Sequence, residues 1–336
     1  MTDLLFTEFG QMAKAVLDPN SRLFIGYLVG ALVIGLIVMT AQYGFAGNKG
    51  AVKQLFSRKI WWHQSARLDY KLYVINRLVR ALLWAPVVLT MVPIAIGLSD
   101  AIETVFGYRP PITENSMIVI TTFTVVLFLL DDFTRFLLHW LMHKVPFLWH
   151  FHKVHHSAVV LTPMTVYRSH PVESFLYASR MAIAQGMAVG LCYYFFGTAL
   201  SMFDILGANA LVFVFNVLGS NLRHSHVKWR WGRLEKWFIS PVQHQIHHST
   251  NPQHFDKNFG TALAVWDRLF GSLIISAPAM RLRFGLGRHE HGHHTVTDAY
   301  ISPFREASAY TIKRLKSRRK SEGSSPSVAT NSGKMM

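Results

Sequence analysis

The feature that most restricts this chain is a series of five long apolar runs, roughly 23–41, 74–98, 117–140, 175–196 and 199–218. Each is close to the about 20 residues that a helix needs to cross the hydrocarbon of a bilayer. Only helices and closed barrels satisfy their own backbone groups there, and continuous runs without a two-residue alternation select helices. With 51% hydrophobic and 15% charged residues, the composition also departs from that of soluble domains. The expected fold is therefore all-α: a polytopic membrane helical bundle of four to five spans with a cytoplasmic helical cap. The first run is too long for the apolar core of a signal peptide and reads as an uncleaved span. Pro86 and Pro93 in the second mark a kink, a re-entrant break or nothing functional, the kink being the favoured reading.

Charge orients these spans. Lys49, Lys53, Arg58, Lys59, Arg67 and Lys71 follow the first run, whereas Asp100, Glu103, Arg109 and Glu114 follow the second. Basic loops stay inside, so the first loop is expected in the cytoplasm and the second outside. Alternation then puts residues 140–174 and everything after 219 inside, in agreement with Arg223, Lys228, Arg230, Arg233 and Lys236. The net charge of +16 is accordingly assigned to loops beside anionic lipid headgroups, with no nucleic acid partner expected. The basic run Lys313–Lys320 and the Ser/Gly/Pro-rich end read as a disordered tail. Cys192, the single cysteine, excludes a disulfide framework, a cysteine zinc site and an iron–sulfur cluster within one chain.

The 18 histidines cluster in the segments expected inside. His139 and His143 (LLHWLMH) are one turn apart on one helix face and can chelate one ion. His152, His155 and His156 (FHKVHHS) and, far along the chain, His244, His247 and His248 (QHQIHHS) share the HxxHH spacing. Such a triplet can point two imidazoles at one metal and the third at a neighbour. His224 and His226 (RHSHV) lie between the clusters, and the spacing leaves open which belongs with them. Imidazole suits iron, zinc, copper and nickel alike, but this many histidines exceed the about four ligands of one zinc, so two metals are the more economical reading. His63 and His150 fall outside the spacing and are read as structural, and His170 as a packing or supporting contact. His289, Glu290 and His293 formally match HExxH, yet Gly287 and Gly292 interrupt the helix that a zinc protease requires.

With these motifs in view, the chain resembles the fatty acid hydroxylase and sterol desaturase superfamily of membrane di-iron oxygenases. The resemblance covers roughly residues 131–272 and rests on DDFTRFLLHWLMH, WHFHKVHHS, RSHPVES and HHSTNPQHFDKNFGTALAVWDRLFGS. It implies that His139, His143, His152, His155, His156, His244, His247 and His248 ligate two ferrous ions, with His224 as the intervening ligand and His226 an additional candidate. Asn251, Asp256 and Asn258 are possible supporting groups that orient imidazoles. It divides the chain into N-terminal helices with a basic loop (1–130), a catalytic domain (131–276) and a C-terminal extension (277–336).

The implied reaction is O2-dependent hydroxylation of a C–H bond in a membrane lipid, such as a fatty acyl, sterol-like or ornithine lipid. Desaturation is an alternative with the same site. No nucleotide-binding glycine motif and no cytochrome b5-like HPGG segment occurs, so the electrons are expected from a separate carrier at the cytoplasmic face. Size and basic character suit a bacterial inner membrane. A rival class, a histidine-rich metal transporter or metal-binding protein, would need ionisable residues deep within several spans, and these are nearly uncharged.

Overall fold

The computed structural model describes residues 8, 10–43, 48–84, 90–200, 210–278, 280–287, 290 and 292–322. Among them the helices in chain order are α1 (Ile25–Tyr43), α2 (Asn48–Leu55), α3 (Gln64–Val79), α4 (Met91–Phe106), α5 (Ser116–Lys144), α6 (Pro146–His156), α7 (Pro171–Phe196), α8 (Ala210–Val217), α9 (Pro241–His247), α10 (Val265–Leu269) and α11 (Val296–Glu322). The described residues form no strand beyond two isolated bridges, Phe238 with Leu263 and Ser249 with Phe284. Among the described residues three helices are long and apolar enough to cross a membrane: α1, α5 and α7. The second apolar run is interrupted rather than merely kinked. After α3 the backbone widens into a π-helical turn at Arg80–Trp84, and α4 resumes with Pro93 in its first turn, where a missing N–H costs nothing. Pro86 and residues 201–209 of the fifth run lie outside the described residues.

Helices α4, α5 and α7 pack into a bundle. The side chain of Asn115 caps α5 by accepting the N–H groups of Met117 and Ile118 at 3.0 and 3.3 Å. Val119, Phe123 and Leu127 repeat every fourth residue and face Ala188, Cys192 and Phe196 of α7, so the lone cysteine serves as a small core hydrophobe. On the other side of α7, Gly186 and Gly190 let α4 approach closely: a Cβ on Gly190 would lie 2.5 Å from the Ala95 carbonyl oxygen. Gly190→Leu is expected to force these helices apart and cost about 1–3 kcal/mol, read as a lower thermal midpoint in detergent.

The loop between α4 and α5 is tied to the far end of α7, Ile112 N–H donating to Phe195 O and the Tyr194 hydroxyl to Gly107 O, each at 3.0 Å. The acidic loop and the histidines of α5 thus lie at opposite ends of that helix.

One expectation changes, and α1 has a neighbour the sequence does not announce: both of its ends meet one stretch of chain. Asn221 Nδ2 donates to Arg22 O, and Gln42 Nε2 to Lys228 O, each at 3.0 Å. Between these ends Ala31 and Met39 pack with Leu222 and Val227 and with Ala51 and Leu55 of α2. The expected disordered basic tail is helical as far as Glu322. Lysine and arginine are good helix formers, and the first half of α11 already anchors the helix, Ala299 packing with Leu68, Leu72 and Val154.

Candidate metal centre

Four short pieces of chain deliver the imidazoles. His139 and His143 occupy the last turns of α5, and only Val145 separates that helix from α6, which carries His152, His155 and His156 at its end. Proline at the first helical position starts both α6 and α9, and a reciprocal Ser240–Gln243 capping box fixes the start of α9 just before His244. A 3-10 turn at Ser220–His224 supplies the fourth piece.

The ring nitrogens converge as two groups. His139, His143, His152, His156 and His247 form one, and His155, His224, His244 and His248 the other; within each group the candidate ligand atoms lie within 4.8 Å of one another. Each HxxHH is therefore split. His152 and His156 turn to the first group and His155 to the second, whereas His247 turns to the first and His244 and His248 to the second. In the second group His224 Nε2 is 3.1 Å from His155 Nε2, 3.2 Å from His248 Nε2 and 2.9 Å from His244 Nε2. Nitrogens about 2.1 Å from a shared ion and at right angles to each other stand about 3.0 Å apart, so the spacing fits ligation.

Proton positions support the fit. Nδ1 of His139 faces Phe259 O at 2.8 Å, that of His247 faces Lys257 O at 2.8 Å, and that of His155 faces Arg168 O at 3.2 Å. A carbonyl only accepts, so these neutral rings donate from Nδ1 and present a lone pair at Nε2. His152 Nδ1 similarly meets Glu173 Oε1 at 2.9 Å. The Nε2 atoms of His152 and His247 are buried without a hydrogen-bond partner among the described residues, which is costly unless a cation receives them. His244 is the exception. Its Nδ1 accepts from Arg223 Nη2 at 2.9 Å, so ligation through Nε2 must displace a proton, and the guanidinium would stabilise the resulting ring charge.

Burial keeps these rings neutral and available, pulling His152 and His247 to about 3 and His155 to about 4. The folded values lie below that of an unfolded histidine, so the metal-free protein is expected to lose stability as pH falls below about 6.5, each such ring forfeiting up to about 2 kcal/mol by pH 5. A thermal midpoint unchanged between pH 7 and 5 would contradict this.

Residues 124–272, which contain all nine imidazoles, match the sequence model of the family described as "Fatty acid hydroxylase". Over this stretch, a little under half of its length, the chain is similar to fatty acid hydroxylases. It is 28% identical over 145 residues to the alkylglycerol monooxygenase of Homo sapiens, covering 43% of this chain and 29% of that protein. Over 151 residues it is 32% identical to the ornithine lipid hydroxylase of Rhizobium tropici, covering 45% of this chain and 41% of the relative. It is also 32% identical over 167 residues to the cholesterol 25-hydroxylase of Homo sapiens, covering 45% and 51%. The matched part thus spans about half or less of each of these relatives. No solved structure matches significantly.

Around the imidazoles the site is braced by carboxylates and an arginine that the spacing of histidines does not reveal. Asp132 accepts the N–H groups of Ala262 and Leu263 and the Trp266 Nε1–H at 2.8–3.0 Å. Asp267 accepts from Phe259 N, Gly260 N and Ser272 Oγ at 2.8, 2.7 and 2.6 Å. Together they pin the loop whose Phe259 carbonyl holds His139. Arg168, fully buried and paired with Asp69 at 2.9 Å, also donates to Val154 O, Ser157 Oγ and His293 O, fastening the end of α6.

The remaining candidates are elsewhere or do other work. His226 lies outside both groups. His170 caps α7 by accepting from Val172 N at 3.0 Å and meets Tyr300 O. Asn251 caps the turn at Gln253. Asn258 does not reach an imidazole. Its backbone is left-handed (φ 56°), a region asparagine tolerates, and its amide bonds Gln243 O and Ile274 O. Asp256 does face the site, its Oδ1 3.6 Å from His143 Nδ1, and it pairs with Lys144. His63 caps α3 and His150 meets Glu306. His289 lies outside the described residues, and residues 292–294 are not helical, so no HExxH helix forms there.

Two cavities flank the imidazoles. One, of about 500 Å³, touches His139, His152, His155, His224 and His244 between the last turns of α5 and the first of α7. The other, about 240 Å³, reaches His143, His156, His247 and His248 past Trp149 and Asp256.

Proposed function

We propose that the chain is a membrane-bound, O2-dependent oxidoreductase that hydroxylates a C–H bond of a membrane lipid. His139, His143, His152, His156 and His247 would hold one ferrous ion, and His155, His224, His244 and His248 the second. The observation that carries this reading is the division of nine imidazoles into two convergent sets at one end of α5. A transporter would instead need them strung along a path. Iron held there supplies O2 activation: with two electrons and two protons, one oxygen atom enters the lipid C–H bond and the other leaves as water.

The chain's own residues orient and shelter the reaction. Phe259, Lys257, Arg168 and Glu173 fix the rings through Nδ1, and the larger cavity admits the lipid. The named activities of the relatives, all on lipids, support the substrate class, and a bacterial relative supports a bacterial inner membrane. Four crossings, α4, α5, α7 and the run ending in α8, would place the imidazoles and the basic loops on the cytoplasmic side, where an acidic electron carrier can dock beside anionic headgroups.

Protein purified anaerobically in mild detergent is expected to hold about two irons per chain and to transfer label from 18O2 into a lipid. A single iron with every imidazole intact, or an unlabelled product, would overturn the reading.

A further inference from the structure

The wall of the larger cavity is unlike a hydrocarbon tunnel. Arg22, Arg77, Arg80, Arg135 and Arg223 line it, the rest is largely hydroxyl, amide and imidazole, and Val166 is its one aliphatic side chain. Two of the arginines are committed, Arg77 to Glu8 at 3.1 Å and Arg135 to Asp131 at 3.2 Å. Arg22, Arg80 and Arg223 have no carboxylate within 4.0 Å among the described residues. Arg22 Nη1 donates to Asn216 Oδ1, and Arg223 donates to Thr261 O, Gly260 O and His244 Nδ1, whereas Nε of each is buried without a hydrogen-bond partner among those residues. The single acidic wall residue, Glu173, already engages His152. Arg80 is exposed and Arg22 partly exposed, so both can meet a ligand in the cavity, and the planar fork of a guanidinium matches phosphate and carboxylate.

Resting on the reading of the chain as a lipid hydroxylase, we propose that its substrate carries an anionic headgroup, a phosphate or a carboxylate, which Arg22 and Arg80 hold in this cavity. The polar end of the lipid then lies beside the imidazoles, and its tails run back between α5 and α7 towards the bilayer.

The test uses the full chain in a neutral detergent, metal-free and iron-loaded, with binding followed by calorimetry. Dihexanoyl phosphatidate and an N-acyl glycine are the anionic probes, dihexanoylglycerol the neutral one. At least one anionic probe is expected to bind about tenfold or more tightly than the neutral lipid, and the tighter of the two names the anion. Arg22→Gln and Arg80→Gln are each expected to remove most of that preference while leaving the neutral lipid unaffected. Arg80 is exposed and makes no ion pair among the described residues, so its replacement does not endanger folding.

Equal affinity for the neutral lipid, or unchanged anion preference in folded Arg22→Gln and Arg80→Gln, would overturn the proposal. Inorganic phosphate binding as tightly as phosphatidate would also overturn it, by showing a free-anion site. Iron content of the same samples separates the two readings: anion preference without iron fails the oxygenase assignment alone, and iron without anion preference fails the headgroup assignment alone.

Discussion

Replacing His155 or His247 with alanine is expected to cut lipid hydroxylation by more than about 100-fold, beyond what loss of a partner supporting a ligand costs. Iron content should fall with it. His155 stands 3.1 Å from His224 within the group of four, and His247 contributes the buried, unpartnered Nε2 to the group of five, so each variant opens a different group. Each also removes the imidazole donor from a carbonyl, the buried Arg168 O or the partly buried Lys257 O. Helices α6 and α9 take no part in the apolar bundle, so membrane insertion should survive. Metal analysis with product assay checks both, and full turnover in either variant would remove that residue from the ligand set. The pair His224 and His226 offers a sharper comparison. His224→Ala is expected to behave like His155→Ala, whereas His226→Ala, outside both groups, should keep its iron.

The second large effect is expected from Asp267→Ala. This residue touches no imidazole, yet its loss leaves the N–H groups of Phe259 and Gly260 and the Ser272 hydroxyl unpaired in a buried setting, at about 1–3 kcal/mol each. A combined loss of about 3–5 kcal/mol should appear as a depressed thermal midpoint. Because Phe259 O orients His139, metal affinity should fall together with stability. Asp267→Asn keeps one acceptor oxygen and should retain part of both. Stability lost with metal affinity untouched would show that the loop does not transmit order to His139.

The imidazoles were legible in the sequence because helical periodicity fixes which of i, i+3 and i+4 share a face, and HxxxH and HxxHH leave few arrangements. The split of each triplet between two groups follows from the same geometry. What holds the rings was hidden for a physical reason. Phe259, Lys257 and Arg168 contribute main-chain carbonyls, which every residue possesses, so side-chain identity carries no trace of the role. Asp132 and Asp267 were visible only as carboxylates within apolar surroundings, in DDFTRF and VWDRLF, and Glu173 as the acid of RSHPVES. Buried acids in such segments need partners, and that was the available signal. Asn258 was drawn to the site by its position after the last cluster, but its left-handed backbone explains its identity. For the apolar runs, length and hydropathy marked helices without showing their neighbours, and only the packing of α1 reveals that it follows residues 221–228.

That packing has an architectural outcome. The middle of α1 lies against Leu222, two residues before His224, whereas His139 and His143 sit in the final turns of α5. The turn that carries His224 is thereby buttressed from outside by an apolar rod, whose far side presents Ile25, Val29, Val33 and Ile37, each about half exposed or more. One end of the imidazole cluster leans on a helix that contributes no ligand of its own, so a change in the seat of α1 should reach the metal centre through Leu222.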